Sequence, residues 1–206
     1  LGIARAGDLS DRLSRAVVKK LGLAPEAVTI RPIGGSQGER YQAMAAGIVH
    51  GVIITPPLDV RAKNEGYNVM YRLIDLNIPF IYSSLHTSYK MLRERPEIVQ
   101  RMVAALAEIV YFVEKNPDKA KASIAKAMRT NDQQALQSAY DVYAREILDR
   151  TMVVPGKAVA ETVELARQEG APIRKKPEEI YDNTFVNNLE KSGFMKEIWG
   201  SENYRR

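Results

Sequence analysis

The feature that most constrains the chain is a short apolar run, Val52, Ile53 and Ile54, set between Gly51 and the pair Pro56-Pro57. A continuous β-branched run without polar alternation is the pattern of a strand covered on both faces, and such strands belong to parallel sheets. Pro56 cannot donate to a ladder and biases the residue before it to extended backbone, so the chain is expected to leave the sheet at Thr55. Ligands of open α/β sheets sit outside the carboxyl ends of the strands, which makes Thr55 to Leu58 the first place to look for function. The plainer alternative is that Thr-Pro-Pro is a rigid turn and nothing more.

The segments before this run repeat the same arrangement. Leu1 to Arg5 reads as a weak strand, and Leu13, Ala16, Val17 and Leu21 then recur at helical spacing, with Asp8 or Ser10 as cap and Gly22 as stop. Free amides at that helix start, near Gly7 and Ser10, would suit an anion or a polar ligand head. For Asp8 a plain N-cap is the better reading, because its carboxylate would repel an anion. Val28 to Ile33 is a second strand, closed by Gly34-Gly35-Ser36, and Gln37 to Ile48 a second helix. A short helix over Leu58 to Glu65 is closed by Gly66, and Tyr67 to Ile74 alternates like a further strand. Strands alternating with helices over the first 75 or so residues predict a small α/β domain with a mostly parallel sheet.

Pro79 to Ser84 is the last extended run, and from about residue 90 the pattern is helical. Pro96 opens a long helix in which Ile98, Val99, Met102, Val103, Leu106, Ile109, Val110 and Val113 form a broad apolar stripe. Further helices are expected over Pro117 to Met128, Asp132 to Leu148, Lys157 to Gln168 and Pro177 to Leu189, with Gly193 as a stop.

Composition narrows the function classes. The 30 basic and 25 acidic residues, net +5, are interspersed, and the densest basic run, Arg174-Lys175-Lys176, is followed by Glu178 and Glu179. This is a solvated face rather than a nucleic-acid stripe. There are no cysteines, which excludes disulfides, a thiol nucleophile and cysteine-bound zinc. No apolar run approaches the roughly 20 residues that span a bilayer, and no signal peptide is evident. The start at Leu-Gly-Ile, without methionine, points to processing or to a piece of a longer protein.

A catalytic set is thin. His50 and His86 have no histidine or carboxylate at ligand spacing and read as surface residues. No G-x-S-x-G, P-loop or dinucleotide-binding glycine pattern occurs, and Ser83 and Ser84 have no evident base. The expectation is a non-enzyme without cofactor or metal. Three polar loops, at Gly7 to Ser10, at Gly35 to Gln37 and at Thr55-Pro56-Pro57, would share one sheet edge and could hold a small molecule without changing it.

Several strings carry a family resemblance. They are Leu1-Gly2-Ile3 with Gly7, Ala43-Met44-Ala45-Ala46-Gly47-Ile48-Val49-His50-Gly51-Val52 followed by Pro56-Pro57, Ala62 to Val69, Arg95-Pro96-Glu97-Ile98-Val99, and Asp182 to Gly193. In this order they make the chain resemble the nitrate/sulfonate/taurine-type solute-binding proteins of bacterial ABC transporters, the group that includes thiamine-precursor binders. The resemblance implies a type II periplasmic-binding fold, two α/β lobes around a cleft, with residues 1–84 as the second lobe. Residues 85–206 would be the hinge return and a helical part packing on a first lobe, and the amino-terminal segment supplying most of that lobe's sheet would be missing. Carried over by position, the ligand contacts are Gly7, Asp8 and Ser10, then Gly35 and Ser36, then Thr55 and Pro56, with Tyr82 and Ser83 in the returning hinge strand. The implied function is delivery of a small anionic or nitrogen- or sulfur-containing solute, or an oxyanion, to a membrane permease. The implied location is periplasmic, or anchored outside the cytoplasmic membrane. Self-association through bare apolar surface is a further expectation. The alternative is a helical interaction or sensor module on an α/β platform.

Overall fold

The computed structural model describes residues 1–76, 81, 83–168, 170–200 and 204. The chain divides into two compact units, Leu1–Ile78 with Asp132–Ser138, and Pro79–Asn131 with Ala139–Arg206.

The first unit is built on a very small parallel sheet. Strand β1 (Gly2–Ile3) pairs with β2 (Arg31–Pro32), Gly2 opposite Arg31 and Ile3 opposite Pro32. On its other side Gly2 forms a parallel bridge with Val52. This centre is tightly packed: a Cβ on Gly2 would lie 3.0 Å from Val49, 3.2 Å from Val52 and 3.4 Å from Ile33, so those side chains would have to give by a few tenths of an ångström. Helix α1 (Leu9–Lys20) follows β1, α2 (Gln37–Ala45) follows β2, and α3 (Leu58–Asn64) follows the Val52 segment.

The first two of these helices are started by local chemistry that the sequence carries. Asp8 caps α1, and Ser36 with Glu39 forms a reciprocal capping box on α2. Tyr41 of α2 is fully buried and donates to Glu65, whose other oxygen accepts from Arg61 Nε at 2.7 Å. The Arg61 guanidinium lies 5.2 Å over the Tyr41 ring, and Tyr67 meets the same ring edge-on at 6.0 Å. This cluster ties α2 to α3. Asp132–Ser138 includes the first part of helix α7 (Gln133–Tyr140), and Ser138 donates to Asp59 of α3 at 3.1 Å.

The second unit is helical. It holds α4 (Tyr89–Glu94), α5 (Pro96–Lys115), α6 (Pro117–Met128), α8 (Gly156–Gln168), α9 (Thr184–Lys191) and α10 (Phe194–Trp199). Proline opens both α5 and α6 at a position whose amide has no partner in any helix. Asp141–Ile147, directly after α7, is a π-helix, with the Leu148 amide bonded five residues back to Tyr143 at 2.9 Å. The core packs Val99, Val103, Ala107 and Val110 of α5 against Leu189, Met195 and Trp199. Beside it Arg150 pairs with Glu114, Nε to Oε2 at 2.7 Å, and stacks 4.7 Å over the Trp199 ring.

Three expectations are corrected. The type II periplasmic-binding class does not hold: the chain is 61% helical with one two-stranded sheet among the described residues, so its class is mostly helical. Tyr67 to Ile74 is not a strand. Val69 and Met70 are exposed and pair with no strand among the described residues, and Leu73–Leu76 closes into a 3-10 turn. The run Val52 to Ile54 contributes a single bridge, and its three side chains are half-buried rather than covered on both faces. Alternation and β-branching are local properties, whereas a strand needs a partner to take up its amides and carbonyls. Pro79, Phe80 and Tyr82 of the expected last strand lie outside the described residues, and Ile81, Ser83 and Ser84 have no regular structure.

Candidate functional site

The three predicted loops leave the sheet at one end, because β1, β2 and Val52 are all parallel. Gly34 at the exit of β2 donates to the carbonyl of Ala4 at the exit of β1, at 3.0 Å.

At the first loop, Gly7 has φ 75°, a conformation open to glycine at no steric cost. The Asp8 carboxylate accepts from the Ser10 hydroxyl at 2.7 Å and from the Asp11 amide at 3.0 Å. The Ser10 hydroxyl in turn accepts the Ala4 amide at 2.9 Å. Buried Asp11 accepts the Gly7 amide at 2.8 Å and Arg15 Nε at 2.8 Å. Burial pushes the Asp8 carboxyl up, but the Ser10 hydroxyl, the Asp11 and Ser10 backbone and the charge of Arg40 together outweigh it. Its pKa lies below the ordinary value. The start of α1 is thus capped by the chain's own carboxylates. Asp8 is the plain N-cap, and the amides foreseen as free are taken up locally.

At the second loop Gly35 has φ 67°, and a Cβ there would run into the Glu39 carboxyl carbon at 2.8 Å. Ser36 accepts the Glu39 amide at 3.3 Å while its own amide donates to the Glu39 carboxylate. The Ser36 amide, and after it the Ser36 hydroxyl, hold the Glu39 carboxyl below the usual carboxylate range. At the third loop Thr55 donates both its amide, at 2.8 Å, and its hydroxyl, at 3.0 Å, to Gln37 Oε1. Pro56 is buried and joined to Pro57 by a cis peptide bond.

Two residues connect these loops: Gln37, expected only as the end of the second loop, and Arg40, which sequence reasoning left out. Gln37 binds the third loop to the start of α2. Arg40, only 7% exposed, donates from Nη1 to the Gly35 carbonyl at 2.9 Å and acts electrostatically on Asp8. Its Nε is buried without a hydrogen-bond partner. The signal was present in Gly35-Ser36-Gln37-Gly38-Glu39-Arg40: a charged residue immediately before a buried aromatic, one turn into a capped helix, faces inward and needs a reason to do so.

The structure therefore brings Gly7, Asp8, Ser10, Gly35, Ser36, Thr55 and Pro56 to one edge, linked through Gln37 and Arg40. Ser83 lies in the second unit and is exposed, and Tyr82 lies outside the described residues. His50 and His86 are both exposed, and His86 Nε2 is 2.9 Å from the Ser84 hydroxyl. Among the described residues no three His, Cys, Asp or Glu side chains cluster to hold a metal, and no helix is long and apolar enough to cross a membrane. No family model matches the chain, and neither a curated protein nor a solved structure matches it.

Proposed function

We propose that the chain is the solute-binding component of an ABC importer, a receptor working outside the cytoplasmic membrane. It holds a small anionic or nitrogen- or sulfur-containing solute, performs no chemistry on it, and hands it to a membrane permease. The observation that carries this reading is the order β2, β1, Val52, with all three parallel and each followed by a helix. When successive strands lie on opposite sides of the first, their loops diverge at its carboxyl end, and the crevice opened there is where small molecules bind in such sheets. Gly7, Asp8 and Ser10 flank that point on one side and Thr55 with Pro56 on the other. Arg40 and Asp8 supply one buried positive and one negative group beside it, which suits a solute with a polar head rather than an apolar one.

The test is calorimetric titration of the whole chain with nitrate, alkyl- and arylsulfonates, aromatic acids and pyrimidines. Binding by one class, weakened in Thr55→Val and Ser10→Ala, supports the reading. No heat from any class at millimolar solute removes it. The helical class and the exposed apolar side of α5 favour a second reading, a helical interaction or sensor module on a small α/β platform. A chain that binds no solute but associates with protein fits that one.

A further inference from the structure

The apolar stripe of α5 is wider than one neighbour can cover. Val99, Val103, Ala107 and Val110 are buried in the core of the second unit. A second line, Ile98, Met102, Ala105, Ile109 and Phe112, runs beside it at alternating spacings of four and three. Of these, Met102, Ile109 and Phe112 are 50%, 52% and 42% exposed. Spacing of this kind is the seam of a two-helix coiled coil, and a helix of this length carries it for about two heptads. On one flank the seam merges with the buried side through Leu106 and Val113. On the other it is bordered by Arg101, Glu108 and Lys115, one heptad apart.

We propose that this seam docks against the same seam of a second copy of the chain, antiparallel, in an isologous dimer. The charges on the border choose both orientation and register. In a parallel pair the residues on this border would face Leu106 and Val113 of the other helix, leaving each charge against an apolar side chain. Two antiparallel registers keep the apolar layers in step. In one, Met102 meets the second copy's Phe112, and the border sets Glu108 against Glu108 and Arg101 against Lys115. In the other, Ile98 meets the second copy's Ile109 and Met102 its Ala105, and Arg101 faces Glu108 twice, once on each side of the two-fold axis. The last arrangement combines four apolar layers with opposite charges, and the two-fold symmetry doubles the gain, whereas sliding to Ile109 against Phe112 pairs Glu108 with Lys115 but keeps only two apolar layers. One helix face buries less than the roughly 800 Å² per partner of a standard interface, so the dimer is weak, with Kd on the order of tens of micromolar.

Sedimentation equilibrium on the whole chain, from about 5 to about 500 µM to bracket that affinity, tests the proposal. A monomer–dimer equilibrium is expected, abolished in Ile109→Lys. Arg101→Glu and Glu108→Arg alone each place like charges at both border contacts, and each should weaken association about tenfold. The double variant R101E/E108R recreates both pairs with the signs exchanged and should restore it. Arg101 and Glu108 are exposed, so these changes leave the fold intact, which circular dichroism checks even if Ile109→Lys does not fold. A wild type that stays monomeric throughout means that something other than a second copy covers the seam, and overturns the proposal. So does a dimer indifferent to Glu108→Arg, or a double variant that stays as weak as the single ones.

Discussion

A single side-chain oxygen, Gln37 Oε1, receives both the amide and the hydroxyl of Thr55, at 2.8 and 3.0 Å. It links the start of α2 to the loop that follows Val52. Gln37→Leu keeps the volume and removes the acceptor from both donors. Leaving a part-buried amide unmatched costs about 1–3 kcal/mol, so the chemical-denaturation midpoint should fall accordingly. Thr55→Val removes one of the two bonds and should cost less. Equal losses in the two variants would mean that the amide contact contributes nothing.

Asp8 makes stability depend on acid. Its folded pKa is below the ordinary value. The stabilisation is therefore fully present above the unfolded pKa, near 4, and disappears as pH falls through the folded value. Asp8→Asn keeps a good cap without the charge. It should be less stable than the wild type at pH 6, with the difference closing as the pH falls through the lowered folded value. A difference that is the same at both ends would assign the effect to cap geometry and not to ionisation.

Tyr41 supplies an optical signature. Burial, followed by the hydrogen bond to Glu65 and the charge of that carboxylate, raises its phenol to about 12. Because the folded pKa is raised, the stabilisation holds below the unfolded value, near 10, and is lost as pH climbs through the folded one. An ultraviolet titration should show one phenol ionising near pH 12, absent from Tyr41→Phe. That variant should also lose about 1–2 kcal/mol, since Glu65 keeps Arg61 but loses the hydroxyl.

The single tryptophan reports on the other unit. Trp199 is 3% exposed beneath the Arg150 guanidinium, which Glu114 holds in place. Arg150→Ala removes the cover and leaves Glu114 without that partner, so emission should move to longer wavelength and stability fall by about 2 kcal/mol. Arg150→Lys keeps the charge but cannot reproduce the bidentate pairing, and should recover only part of the loss.

Helix starts and stops were legible because they are written locally. Asp8, Pro96 and Pro117 begin helices as their chemistry dictates, and Gly193 separates α9 from α10 with φ 83°, whereas Pro177 opens only a 3-10 turn and the helix after it begins at Thr184. The sheet was not legible to the same degree. A strand is settled by what lies beside it, and Val69 and Met70 have the right pattern but pair with no strand among the described residues. The edge at Gly7, Gly35 and Thr55 was found through its glycines and proline. Gln37 was named there only as the end of a loop and Arg40 was not found, because the contact of Gln37 with Thr55 and the charge of Arg40 on Asp8 join residues distant in sequence and adjacent only once β1, β2 and Val52 are parallel.

The π-helix at Asp141–Ile147 gives the chain an unequal tolerance to the loss of a codon. A π turn carries one more residue than an α turn, and removing that residue closes the backbone bonds into ordinary α geometry. The same deletion in α5 would turn everything beyond it by about 100° and tear the line from Val99 to Val110 off Leu189 and Trp199. A scan of single-residue deletions along the gene should therefore find one permissive window inside this helical half, and it should open immediately after Tyr140.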